Sequence, residues 1–175
     1  ATGGVWISKN GGTDWAPVFE NEACASIGAV AINQNNPDLI WVGTGESNMR
    51  NSTSIGCGIF KSVDGGNSWS NAGLEDSEHI GRISLHPDKP DIVYVAALGK
   101  LWASNEERGL YKTTDGGDNW ERILYVDEDT GASDVQMDPT NPNKLFASMW
   151  QFRRWPHFFK SGGAGTGLYV SHDAG

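Results

Sequence analysis

The stretch Ser62-Val63-Asp64-Gly65-Gly66-Asn67-Ser68-Trp69 decides how this chain is read, because it recurs. Ser8-Lys9-Asn10-Gly11-Gly12-Thr13-Asp14-Trp15 precedes it, Thr113-Thr114-Asp115-Gly116-Gly117-Asp118-Asn119-Trp120 follows it, and Ser171-His172-Asp173-Ala174-Gly175 repeats its opening. The first residues of the four copies stand 54, 51 and 58 positions apart. A second motif keeps the same interval: Asn36-Pro37-Asp38-Leu39-Ile40-Trp41-Val42, Lys89-Pro90-Asp91-Ile92-Val93-Tyr94-Val95 and Asn141-Pro142-Asn143-Lys144-Leu145-Phe146-Ala147. Two independent motifs on one period mark a repeat architecture.

Within a period the residues read as four short strands, over 27–33, 39–43, 58–62 and 69–72 in the best-defined copy. Their β-branched and aromatic content suits strands, and no 3.6-residue periodicity is sustained. Four antiparallel strands about every 50 residues predict a propeller blade, so the expected fold is an all-β, partial β-propeller. Residues 1–20 would end one blade, 21–74 and 75–126 would each be a complete blade, and 127–175 an incomplete one. About three blades fall short of a closed ring, so further blades or another chain are expected partners.

The glycine-rich motif falls between the third and fourth strands, where two glycines supply positive φ in a tight turn. Ser8, Ser62, Thr113 and Ser171, with Asn10, Asp64, Asp115 and Asp173, are expected to bond the turn's own amides. Trp15, Trp69 and Trp120 are expected to pack beneath it. All of these are read as structural rather than catalytic.

The chain has 175 residues with 13 Lys and Arg against 22 Asp and Glu, a net charge of −9. An apolar fraction of 38% supports a packed core. The acidic balance argues against nucleic acid, and no apolar run reaches the ~18 residues needed for membrane insertion. Ala1 opens the sequence without a charged or apolar leader, so no signal peptide is expected within it. Cys24 and Cys57 fit either one bridge or two partly buried free thiols. The histidines are scattered, so no metal and no cofactor are expected. Asp127-Glu128-Asp129-Thr130-Gly131 lacks the rest of a calcium loop and reads as a solvated acidic turn. Asn51-Ser52-Thr53 is a glycosylation sequon relevant only in a eukaryotic secretory pathway.

Long connections are expected over 46–56, 99–107 and 151–165, on the face opposite the short turns, where binding sites commonly sit. The third holds Trp150-Gln151-Phe152-Arg153-Arg154-Trp155-Pro156-His157-Phe158-Phe159-Lys160, with five aromatic residues and four cationic candidates. Such a segment suits sugar stacking or a protein contact, or else folds over its blade and buries its own rings. Trp102 carries the same two readings. Glu46 and Glu106 occupy corresponding places in adjacent blades and are weak candidates for the carboxylate pair of glycoside hydrolysis. The plainer reading pairs Glu46 with Arg50 and Glu106 with Arg108. His79 and Arg82, at a blade's inner edge, would bind an anionic group near the axis or bond neighbouring blades. The ligand-binding candidates are therefore Arg50, His79, Arg82, Trp102, Arg108, Arg153, Arg154 and Trp155.

On these motifs the chain resembles the Asp-box, or bacterial neuraminidase repeat, β-propellers, with Asn10 standing where Asp is usual. Gly43-Thr44-Gly45-Glu46, His79-Ile80-Gly81-Arg82-Ile83 and Asn105-Glu106-Glu107-Arg108-Gly109 resemble the bacterial propellers related to the sortilin ligand-binding domain, often labelled glycosyl hydrolases. The resemblance implies a secreted, periplasmic or cell-surface protein. It implies a non-catalytic role, binding protein, peptide or glycan on the long-loop face. The alternative it implies is a glycoside hydrolase, xyloglucanase-like or sialidase-like, with a site completed by further blades. Gly81-Arg82-Ile83-Ser84 lacks the aromatic and the proline of the sialidase Phe/Tyr-Arg-Ile-Pro motif, which counts against that chemistry.

Overall fold

The structure is a computed structural model that describes residues 2–175. Strands β1 (Trp6–Ile7) and β2 (Ala16–Pro17) form a two-stranded sheet, here blade I. Blade II is β3 (Ile27–Ile32), β4 (Ile40–Thr44), β5 (Ile59–Ser62) and β6 (Ser70–Asn71), paired in chain order. A short 3-10 helix, Glu75–Ser77, leads into blade III: β7 (Ile80–Leu85), β8 (Val93–Ala97), β9 (Gly109–Thr113) and β10 (Glu121–Leu124). Blade IV comprises β11 (Thr130–Asp138), β12 (Asn141–Trp155) and β14 (Gly167–Ser171). All pairings within the blades are antiparallel. The architecture is a partial β-propeller.

The segment expected as a long loop over 151–165 is largely sheet. Strand β12 runs on past the blade to Trp155 and returns as β13 (Phe158–Ser161), with Phe152 opposite Ser161 and Trp155 opposite Phe158. Alternating aromatic and cationic residues suit a twisted ribbon, and Pro156-His157 makes its turn.

The first strands stand side by side around the axis, β3 against β7 and β7 against β11. Glycine makes this approach possible. A Cβ on Gly28 would lie 2.0 Å from the Ile80 carbonyl, and one on Gly81 would lie 2.5 Å from the Ser133 carbonyl. The same contact is thus repeated one blade further on. Strands β4 and β8 are buried along their whole length, because a blade covers each face; their unbroken apolar runs follow from that.

The core lies between blades. Phe19, Val42, Phe60 and Trp69 join blade I to II. Trp41, Ile59, Ile80 and Val95 join II to III, while Tyr94, Leu110, Val135 and Leu145 join III to IV.

All four glycine-rich turns share one hydrogen-bond pattern. The amides of Gly12, Gly66, Gly117 and Gly175 donate to Ser8, Ser62, Thr113 and Ser171 hydroxyls at 2.7–3.0 Å. Asp64 and Asp115 accept from the Ser68 and Asn119 amides, and Asn10 accepts in the same way from Asp14. Three of the turns are also tied to the first turn of their own blade: the Gly65 amide donates to the Asp38 carbonyl, Gly116 to Asp91 and Ala174 to Asn143. The two sequence repeats are therefore one bonded unit.

The tryptophans do more than pack against their own turns. Trp69 lies against Gly66 of its own turn and also reaches back to blade I, donating to the Val18 carbonyl at 2.6 Å. Trp120 reaches back to blade II and donates to Ala72 at 2.7 Å. Trp15, among the described residues, donates only locally to Gly12 and is 60% exposed. The indoles of Trp69 and Trp120 pack into the apolar clusters between neighbouring blades. Cys24 and Cys57 are bridged, with Cα atoms 6.1 Å apart, which selects the disulfide from the two alternatives.

Candidate functional site

On the long-connection face, the 46–56 segment is ordered by Glu46. Its carboxylate accepts from Arg50 at 2.5 Å and from the Ser54 amide at 2.9 Å. Hydrogen bonding to the ionised form holds the Glu46 carboxyl at about 2. Arg50 itself is exposed.

Glu78, which sequence reasoning passed over, lies at the same junction. It has φ of 58°, unusual for a residue with a side chain, and its carbonyl accepts from the Gly56 amide at 2.7 Å. A Cβ on Gly45 would collide with that carbonyl, so Glu78 is pressed against the residue preceding Glu46. Burial pushes the Glu78 carboxyl up, against the pull of Lys100 and Arg108. The only signal in the sequence was its place next to His79.

His79 is fully buried, with the Glu46 backbone beside its ring. Burial drives it down to about 4, with Glu46 opposing and Arg108 reinforcing the shift. It is a neutral ring at physiological pH and offers no charge to an anion. Arg82 faces outward and donates to Asp134 at 2.8 Å, linking blade III to blade IV.

Arg108 is enclosed as well. It donates to the Asn105 side chain and to the carbonyls of Lys100, Ala103 and Asp129, and its guanidinium lies 4.4 Å from the Phe152 ring centre. Burial lowers it to about 10, so it stays charged. It thus bonds the 99–107 segment to blade IV and does not pair with Glu106. Glu106 is exposed, and its backbone carbonyl accepts from Arg122.

The β12–β13 hairpin divides into a buried base and an open tip. At the base Phe152 is fully buried, Trp150 stacks on it at 4.5 Å, and both pack with Leu98, Leu101 and Phe159. The Arg154 amide donates to the Leu101 carbonyl, and Arg153 donates to Ser104, which in turn donates to Asp129. At the tip Arg153 lies over Trp155 at 4.9 Å and Trp155 beside Phe158 at 5.8 Å. Arg154 lies over Phe159 at 4.7 Å. Phe158 is 55% exposed, Trp155 half-buried, and Trp102, next to the bonded Leu101, 45% exposed. The base buries its rings, as one of the two readings expects, while at the tip Phe158 stays exposed.

The structure therefore gathers Trp102, Arg153, Arg154 and Trp155 in one region, places Arg50, Arg82 and Arg108 in separate bonding roles, and buries His79. Among the described residues no group of three or more His, Cys, Asp or Glu has the arrangement of a metal site. No helix among them is long and apolar enough to cross a membrane.

The family model described as sortilin, neurotensin receptor 3 (Sortilin-Vps10), matches residues 3–146. Among solved structures the chain is similar to an ancestral GH74 enzyme, at 26% identity and TM-score 0.62, over 86% of this chain and 20% of that one. It is also similar to the GH74 xyloglucanase from Xanthomonas campestris, at 21% identity and TM-score 0.64, over 99% of this chain and 26% of that one. A third likeness is to YCF48 bound to D1 peptide, at 16% identity and TM-score 0.52, over 93% of this chain and 47% of that one. The chain thus spans from a fifth to about half of these proteins. No curated protein matches it.

Proposed function

This chain belongs to the Sortilin-Vps10 family, and from that premise we propose that it is a ligand-binding part of a β-propeller, holding an extended peptide or protein segment against the tip of the β12–β13 hairpin. The observation that carries this reading is the pair Trp155 and Phe158 at the hairpin tip, with the Arg153 guanidinium lying over Trp155. Aromatic and arginine side chains held in place before binding dominate protein contacts, because little rotamer freedom is lost. Here the buried Phe152 and the bonds of Arg108 anchor the hairpin base. Arg153, Arg154 and Lys160 concentrate positive charge on a chain of net charge −9, which favours acidic ligands by electrostatic complementarity. The similar YCF48 structure with a bound peptide supports the choice of a peptide. The Cys24–Cys57 bridge supports an exported, oxidising location.

Tryptophan fluorescence titrated with a short acidic peptide containing an aromatic residue should show saturable binding that Trp155→Ala removes. Binding undiminished in Trp155→Ala, with the melting midpoint unchanged, would refute the hairpin site.

A second reading, glycoside hydrolysis, is favoured by one observation: Glu46 is held ionised, while Glu78, whose backbone packs on Gly45, has a carboxyl pushed toward its protonated form. Opposed shifts of this kind suit a base and an acid. The GH74 likeness supports testing xyloglucan as the substrate. Reducing-sugar release that vanishes in Glu78→Gln would establish this reading, and no release from the parent chain would discard it.

A further inference from the structure

Arg153 is held in place without being neutralised. Its Nη1 donates to the Ser104 hydroxyl at 2.8 Å, and that hydroxyl donates to the Asp129 carboxylate at 2.7 Å. A neutral oxygen thus stands between the guanidinium and the acid. The ion pairs among the described residues join Arg50 to Glu46 and Arg82 to Asp134, and Arg153 is in neither. Asp129 is itself fixed, because its carbonyl accepts from the Phe152 amide at 3.0 Å and from Arg108 at 3.1 Å. The group that anchors the hairpin base therefore also aims Arg153, through Ser104.

Strand register sets a second cation beside it. Lys160 stands directly opposite Arg153 in the β12–β13 hairpin, and Phe158 directly opposite Trp155. Opposed residues share one face of a ribbon with Cβ atoms about 5 Å apart, and residues two apart along a strand share that face too. One face therefore carries Arg153 and Lys160 next to Trp155 and Phe158, in keeping with the Arg153 guanidinium lying over Trp155. Lys160 is exposed and Arg153 half-buried. Like charges set directly opposite repel, and an anion between them turns the repulsion into two charge-assisted contacts.

With the hairpin tip as the binding surface, a premise on which this step rests, we propose that Arg153 and Lys160 form a carboxylate subsite beside the aromatic pair. Ser104 is the positioning residue that keeps it selective for acidic ligands. Its hydroxyl fixes the guanidinium yet carries no charge, so the positive charge is left for the ligand. The ligand is an extended peptide with Glu or Asp two residues from an aromatic residue. That spacing puts both side chains on one face of the peptide, matching Lys160 and Phe158 along β13.

The test uses the 175-residue chain and two labelled peptides, Gly-Ser-Glu-Thr-Phe-Ser-Gly and the same peptide with Gln in place of Glu. Fluorescence anisotropy should give about tenfold or more tighter binding of the Glu peptide, the size of a hydrogen bond to a charged group. Lys160→Gln and Ser104→Ala should each shrink that preference about threefold or more, and Ser104→Thr, which keeps the hydroxyl, should retain it. A merely structural role would weaken both peptides alike and leave their ratio unchanged. A preference that survives both Lys160→Gln and Ser104→Ala would overturn the proposal. Equal binding of the two peptides, removed by Trp155→Ala, would overturn the carboxylate subsite and keep the hairpin site. Binding of neither peptide up to about 1 mM would overturn both.

Discussion

Trp120 donates through Nε1 to the carbonyl of Ala72 at 2.7 Å, so the indole from the turn of blade III is bonded to the end of blade II. A motif repeated within blades therefore fastens one blade to another. The neighbouring Trp41–Trp120 contact makes the same junction apolar.

Replacing Trp120 by Phe keeps a ring between the blades but removes the donor. The Ala72 carbonyl is left unpaired, and stability should fall by about 1–3 kcal/mol. Trp15→Phe, at an exposed indole bonded only to Gly12, should change stability by less than about 0.5 kcal/mol. Urea midpoints of the two variants decide it: equal losses would contradict an inter-blade role for the third indole.

Acid should weaken the turns. Hydrogen bonds from Ser68 to Asp64, and from Asn119 to Asp115, hold both carboxyls at about 2, below the ordinary 3.8. Because the folded value is the lower one, the stability they contribute is complete above about pH 4 and is lost as the pH falls toward 2. The double variant Asp64→Asn/Asp115→Asn should melt lower than the parent at neutral pH and lose less between pH 4 and 2. Parallel melting curves across that range would argue against these bonds.

Gly81→Ala places a methyl carbon 2.5 Å from the Ser133 carbonyl, where the neighbour is backbone and cannot swing away. A loss of about 1–3 kcal/mol is expected from overpacking at the β7–β11 contact. Gly3→Ala meets nothing within 4 Å and should be close to neutral. Thermal melts of the pair give the comparison directly.

The bridge between Cys24 and Cys57 closes a segment with a sequence separation of 33. Removing it, as Cys24→Ser/Cys57→Ser, should lower stability by about 3 kcal/mol, mainly by freeing the unfolded chain. Reductant should lower the parent's melting midpoint and leave the double variant unmoved.

The blades and turns were legible because each rests on residues close together in sequence. Ser62, Asp64, Gly66 and Ser68 bond among themselves within seven positions. The candidate site was legible only as a composition. Phe152 and Trp155 belong to one aromatic-basic stretch, yet one is core and the other lies at the hairpin tip. Nothing local separates them, since the division depends on Leu101, Ser104 and Arg108 of the neighbouring blade. Glu78 was missed for the same reason: its backbone meets Gly45 and Gly56 only in the folded chain, and burial there raises its carboxyl.

By itself the sequence determined the repeat, the four-stranded blades and the chemistry of the turns, because backbone conformation at Gly-Gly pairs and hydrogen bonding by Ser, Thr and Asp are set within a few residues. Only the tertiary structure decided that Trp69 and Trp120 bridge blades, that Arg108 and His79 are enclosed while Trp102 and Phe158 are exposed, and that the two cysteines meet. Those outcomes depend on surfaces distant in the chain, whose fit is a property of packing rather than of any local pattern.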